Sequence, residues 1–94
     1  RTAVFSMLSD KDIDGVLEIV KDQFDEWYIA PLDVPRGMTA EALQAKLEAQ
    51  NIENIQTFTS VREAYRAALA KAGENDRIVV FGSFHTVADV MAAL

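Results

Sequence analysis

Residues 77–94 read RIVVFGSFHTVADVMAAL, and the fold turns on this stretch. Ile78–Phe81, with Arg77 before it, is a short run without a polar residue, the pattern of a fully buried strand. Gly82 and Ser83 end the strand. Val87, Val90, Met91 and Leu94 then recur at helical spacing. A buried parallel strand, a tight Gly turn and a helix start form the edge where α/β proteins place ligands. Backbone N–H groups are free there, and a Gly lets a ligand come close. Ser83, His85 and Thr86 put polar side chains on that edge.

Working back along the chain, the same alternation repeats. Ala3–Leu8 is an apolar run of strand length. Ser9 is expected to cap the next helix, with Asp10 and Asp12 in its first turn, where negative charge suits the helix dipole. Ile13, Val16, Leu17, Val20 and Phe24 follow at helical spacing. Glu26–Ala30 reads as a second strand, ended by Pro31. The loop Pro31–Met38 leads to Thr39, a cap for a helix carrying Ala40, Leu43 and Leu47. Ile55–Phe58 reads as a third strand. Ser60 and Glu63 have capping-box spacing. Val61, Ala64, Tyr65, Ala68 and Leu69 give a third helical stripe, with Gly73 as its stop. The order βαβαβαβα predicts an α/β fold: a mainly parallel, Rossmann-like sheet of about four strands with helices on both faces.

Composition narrows the function. The chain has 94 residues, so it is one domain or part of one. A net charge of −6 argues against a nucleic-acid partner, which needs a basic face. The absence of Cys removes thiolate metal sites and fits a reducing compartment without proving one; a cytoplasmic protein is the expectation. No apolar run is long enough to span a bilayer, so no membrane partner is expected. The start at Arg1 has the look of an excised fragment.

Three loops fall at the carboxyl ends of the predicted strands, and each allows two readings. In Ser9-Asp10-Lys11-Asp12, Lys11 could meet a phosphate or a carboxylate; the segment also reads as a solvated helix start. In Pro31–Met38, two prolines stiffen the loop, so Arg36 is presented with little entropy left to lose. That suits bidentate carboxylate recognition, although an exposed Arg in a turn has the same look. In Gly82–Thr86, Ser83 is either a ligand contact or a helix cap, and His85 either a contact or a packed residue. One His and no Cys make no metal site. A Ser-His-acid triad lacks its Gly-x-Ser-x-Gly elbow. Gly-rich nucleotide fingerprints are absent, so this chain does not hold the main phosphate cradle of a nucleotide enzyme. No catalytic residue is expected on it. Trp27, Tyr28, Phe58 and Phe81 read as core.

At these same loops the sequence resembles a known family. Phe5–Ile13 (FSMLSDKDI), Asp25–Leu32 (DEWYIAPL) through Pro35–Ala40 (PRGMTA), and Val80–Ala88 (VFGSFHTVA) are similar to the carboxy-terminal domain of bacterial bifunctional dihydrofolate synthase/folylpolyglutamate synthases. Those enzymes are relatives of the muramyl ligases. The resemblance implies that residues 1–94 are a carboxy-terminal domain fragment of an ATP-dependent amide ligase of folate biosynthesis. Such an enzyme activates a carboxylate as an acyl phosphate, which the amine of glutamate then attacks. It implies ATP and Mg as cofactors of the intact enzyme, bound mainly outside this chain. Its partners would be the rest of the polypeptide, glutamate, dihydropteroate or folate, and ATP. By resemblance, Ser83 lies near the amino-acid substrate, and Arg36 stands where muramyl ligases carry an Asp-Asn-Pro-Arg motif. Here that motif is Asp33-Val34-Pro35-Arg36, with Val34 in place of Asn. Lys11 and His85 match further substrate-side positions. The family's domain opens with an Asp-x-Ala-His-Asn-Pro strand, turn and helix that this chain does not contain. An incomplete sheet is therefore expected, and an isolated chain that is inactive and self-associates. The alternatives are a non-catalytic, receiver-like binding or regulatory module, for which Asp10 and Asp12 mimic an acidic pair but no strand ends in an acceptor Asp, and an assembly domain with no site.

Overall fold

The computed structural model describes residues 1–9, 12–32, 34–73 and 76–82. The elements run β1 (Thr2–Phe5), α1 (Ile13–Val20), a 3-10 turn (Lys21–Gln23), β2 (Glu26–Ile29), α2 (Ala40–Ala49), β3 (Ile55–Thr57), α3 (Val61–Lys71) and β4 (Ile78–Phe81). The strands form one sheet in the order β3-β2-β1-β4, and every pairing is parallel. The chain thus grows outward from β1 in both directions, and the α/β expectation holds.

Side-chain alternation along the two central strands divides the core. Ala3, Phe5, Trp27 and Ile29 face Ile13 and Leu17 of α1 and Leu43 and Leu47 of α2. Val4 and Tyr28 face the other way, onto Val61, Ala64 and Ala68 of α3. Helices therefore cover both faces, because β1 and β2 carry apolar residues at every position from Ala3 and Trp27 onward. Phe5, Phe24, Trp27 and Phe81 form an aromatic cluster; Phe24 and Phe81 stack with ring centroids 5.4 Å apart. The Trp27 Nε1 is buried and meets no acceptor among the described residues.

Two helices start as the sequence reading expects. Thr39 Oγ1 accepts from the Ala42 N–H at 3.1 Å. Ser60 Oγ accepts from the Glu63 N–H at 3.1 Å, and a Glu63 carboxylate oxygen accepts from the Thr59 N–H. The first helix differs. Its cap is Asp12, not Ser9: the Asp12 carboxylate accepts from the Gly15 N–H at 3.1 Å. Helical geometry begins at Ile13, and a cap must sit immediately before it.

The strand bounds also shift. β1 ends at Phe5, β2 at Ile29 and β3 at Thr57, each before its expected end. β4 is half-buried along its length, not fully buried, because it is an edge of the sheet and pairs with β1 alone among the described strands. Leu69 lies outside the α3 stripe and is 49% exposed, since one residue past Ala68 carries it around the helix to solvent. α3 ends at Lys71 with Ala72 as its cap, so Gly73 stands just past the helix end, as the expected stop. The polar residues Ser83, with its alternative reading as a helix cap, His85 and Thr86, and the helical pattern Val87–Leu94, lie outside the described residues.

Candidate functional site at the carboxyl edge of the sheet

In a parallel sheet every carboxyl strand end opens on the same side, and the loops there are the ones free to meet a ligand. Beyond β1 the chain continues through Ser6 to Ser9; beyond β2 it continues through Ala30 to Met38. These two segments are hydrogen-bonded to each other. The Ser9 N–H donates to the Arg36 carbonyl at 2.7 Å, and the Met38 N–H donates to the Met7 carbonyl at 3.1 Å. Leu8 and Gly37 thereby form an antiparallel bridge.

Within the second loop, the Gly37 N–H donates to the Val34 carbonyl at 2.9 Å. Val34–Gly37 is therefore a β-turn with Pro35 at its second position, where a fixed φ favours the turn. Arg36 occupies the third position and is exposed at the tip. Leu8, Val34, Pro35 and Arg36 line a cleft of about 220 Å³. Among the described residues that line it, Leu8, Val34 and Pro35 are apolar and Arg36 alone is charged. A cation beside a small apolar cleft can take a carboxylate on a short aliphatic chain: the fork grips the charge and the cleft shelters the methylenes.

Two glycines make the close approaches at this edge. A Cβ on Gly37 would lie 2.1 Å from the Leu32 carbonyl oxygen. Gly82 has φ +124° and stands against the backbone of Ser6, where a Cβ would lie 1.8 Å from the carbonyl oxygen. The ends of β1 and β4 can meet so closely only with a glycine there.

Of the expected site residues, Arg36 is where the loop reading placed it. Lys11, Ser83 and His85 lie outside the described residues. The Leu8–Gly37 bridge escaped the sequence reading, although Pro35-Arg36-Gly37 was a visible turn signal.

A larger cleft, about 460 Å³, opens at the opposite, amino ends of the strands, lined by Lys21, Asp22, Trp27, Gln50 and Asn54 among others. The smaller cleft is the better candidate, because it lies at the edge where parallel topology leaves loops free. Also at the amino edge, Lys71 Nζ donates to Glu26 at 2.6 Å. The hydrogen bond to Glu26, and then its charge, hold the Lys71 ammonium above its ordinary range. A raised ammonium favours the fold below the ordinary lysine range, and the contribution is lost as pH climbs through the raised value. That strongly alkaline window keeps the pair out of neutral-pH behaviour.

Residues 1–84 match the family model for the Mur ligase, glutamate ligase domain. The dihydrofolate synthase/folylpolyglutamate synthase of Escherichia coli is 48% identical over 92 residues, covering 98% of this chain and 21% of that protein. The E. coli FolC structure in complex with DHPP and ADP superposes with a TM-score of 0.88 at 49% identity, over 97% of this chain and 21% of that one. A bifunctional folylpolyglutamate synthase/dihydrofolate synthase with Mn, AMPPNP and L-glutamate bound gives a TM-score of 0.83 at 46% identity, over 98% of this chain and 21% of that one. The chain spans about a fifth of the length of the relatives it matches. On the match across residues 1–84, this chain belongs to the Mur ligase, glutamate ligase domain family.

Proposed function

We propose that this chain is the amino-acid-binding, carboxy-terminal domain of a cytoplasmic ATP-dependent ligase that adds glutamate to dihydropteroate or to a folate polyglutamate. The observation that carries the reading is the Pro35-stiffened turn that holds Arg36 over an apolar cleft at the carboxyl edge. Family membership supports it, as does one relative of the same kind solved with AMPPNP, Mn and L-glutamate bound. Family membership also weighs against the receiver-like alternative.

In the proposed reaction the amine nitrogen of glutamate bonds to the carbonyl carbon of an acyl phosphate. Phosphate leaves with the electron pair of the broken C–O bond, and the amine gives up a proton. This chain's share is to bind and orient: Arg36 takes a glutamate carboxylate, and its restraint lowers the cost of positioning the amine. Ser83, which follows Gly82 directly in sequence, is proposed as a second contact to glutamate, with Lys11 and His85 as further substrate-side residues. ATP and its magnesium are assigned to the rest of the polypeptide. The described residues of this chain offer no group of three acidic or histidine side chains able to hold a metal.

The test is a ligase assay with ATP, magnesium, dihydropteroate and glutamate. The full-length protein should form the amide and release ADP; the isolated chain should not. Amide formation by the isolated chain, or none by the full-length protein, contradicts the assignment. In the same assay Ser83→Ala should raise the glutamate KM by about 2- to 10-fold, the loss of one hydrogen bond of roughly 0.5–1.5 kcal/mol. A lower melting temperature with unchanged glutamate kinetics would make Ser83 a helix cap instead.

A further inference from the structure

We propose that Gly37 is the positioning residue of the arginine turn: its missing side chain sets where Arg36 stands. This rests on the reading of Arg36 as the carboxylate-binding residue. Gly37 does not have the positive φ that Gly82 has, so its requirement is space and not backbone conformation. The space is taken by groups that cannot swing aside. A Cβ would fall 2.1 Å from the Leu32 carbonyl oxygen and 2.8 Å from the Leu32 Cβ, and Leu32 is itself buried in the core around α3. Any side chain at position 37 must therefore push the turn outward.

That outward shift has a defined consequence. Gly37 closes the turn through its own N–H, and the residues on either side of it carry both hydrogen bonds to the extension of β1. Moving Gly37 off Leu32 strains the bonds from Ser9 to Arg36 and from Met38 to Met7 together. The guanidinium is one residue away, at the tip. A two-point grip on a carboxylate tolerates little displacement, so the loss should fall on glutamate and not on ATP.

The experiment uses the full-length ligase with three variants: Gly37→Ala, Arg36→Ala and the double change. Gly37→Ala should raise the glutamate KM about 10-fold while the ATP KM stays within about twofold. Added to Arg36→Ala, it should cost no more than about a further twofold, because the group it positions is already gone. An unchanged glutamate KM in Gly37→Ala, or a full multiplication of the two effects in the double variant, overturns the inference while leaving Arg36 as the contact. An unchanged glutamate KM in Arg36→Ala sinks the underlying reading instead. Should Gly37→Ala yield too little folded protein, Pro35→Gly loosens the same exposed turn without a clash. It should raise the glutamate KM about 2- to 5-fold while the melting temperature falls by only a few degrees, the cost of a freer unfolded chain; no rise in the glutamate KM would overturn the inference as well.

Discussion

Arg36→Ala in the full-length ligase is expected to raise the glutamate KM by roughly 10- to 150-fold and to leave the ATP KM within about twofold. The size follows from losing a charge-assisted, two-point contact, about 1.5–3 kcal/mol, at tenfold per 1.4 kcal/mol. The selectivity follows from where Arg36 stands. It is exposed at the tip of a turn whose backbone is bonded to the end of β1, and the turn's bonds run through backbone atoms that the substitution keeps. A matching rise in both Michaelis constants would show that Arg36 reaches the nucleotide or shapes the fold.

Gly82→Ala is expected to be the most damaging small substitution in the chain. Two independent faults combine: the backbone φ of +124° is one that L residues rarely adopt, and the new methyl carbon would fall 1.8 Å from the Ser6 carbonyl oxygen. Together they should cost about 3–5 kcal/mol, a large part of a domain's margin. The melting temperature and soluble yield of the full-length protein should both fall. Gly73→Ala is the control, because among the described residues the nearest atom to its added carbon is 3.7 Å away and its φ is not positive. Gly82→Ala melting within a degree or two of Gly73→Ala would contradict the packing of β1 against β4 described above.

What the sequence disclosed, and what it did not, divides along local and non-local lines. The caps at Thr39 and Ser60 were legible because each rests on a residue three positions away. The facing of α1, α2 and α3 was legible from the spacing of Ile13, Leu17, Leu43, Leu47, Val61 and Ala64. Asp12 was passed over for Ser9 because both are good caps, and only the backbone decides which one precedes the first helical residue. The half-burial of β4 was hidden for a different reason. An apolar run looks the same at the centre and at the edge of a sheet, and strand order is a property of the whole chain. For the site, the stiff loop around Arg36 could be read from Pro31, Pro35 and Gly37. Its attachment to Met7–Ser9 could not, since those partners lie nearly thirty residues upstream.

The most direct test of the central claim, that Arg36 holds a carboxylate of the incoming amino acid, is discrimination by charge. The full-length protein and its Arg36→Ala variant would each be assayed with glutamate and with the two analogues in which one carboxylate is an uncharged amide. The parent protein should prefer glutamate over one of these amides by roughly 10-fold or more, and Arg36→Ala should lose that preference while keeping the preference over the other. Retention of both preferences in Arg36→Ala would contradict the account.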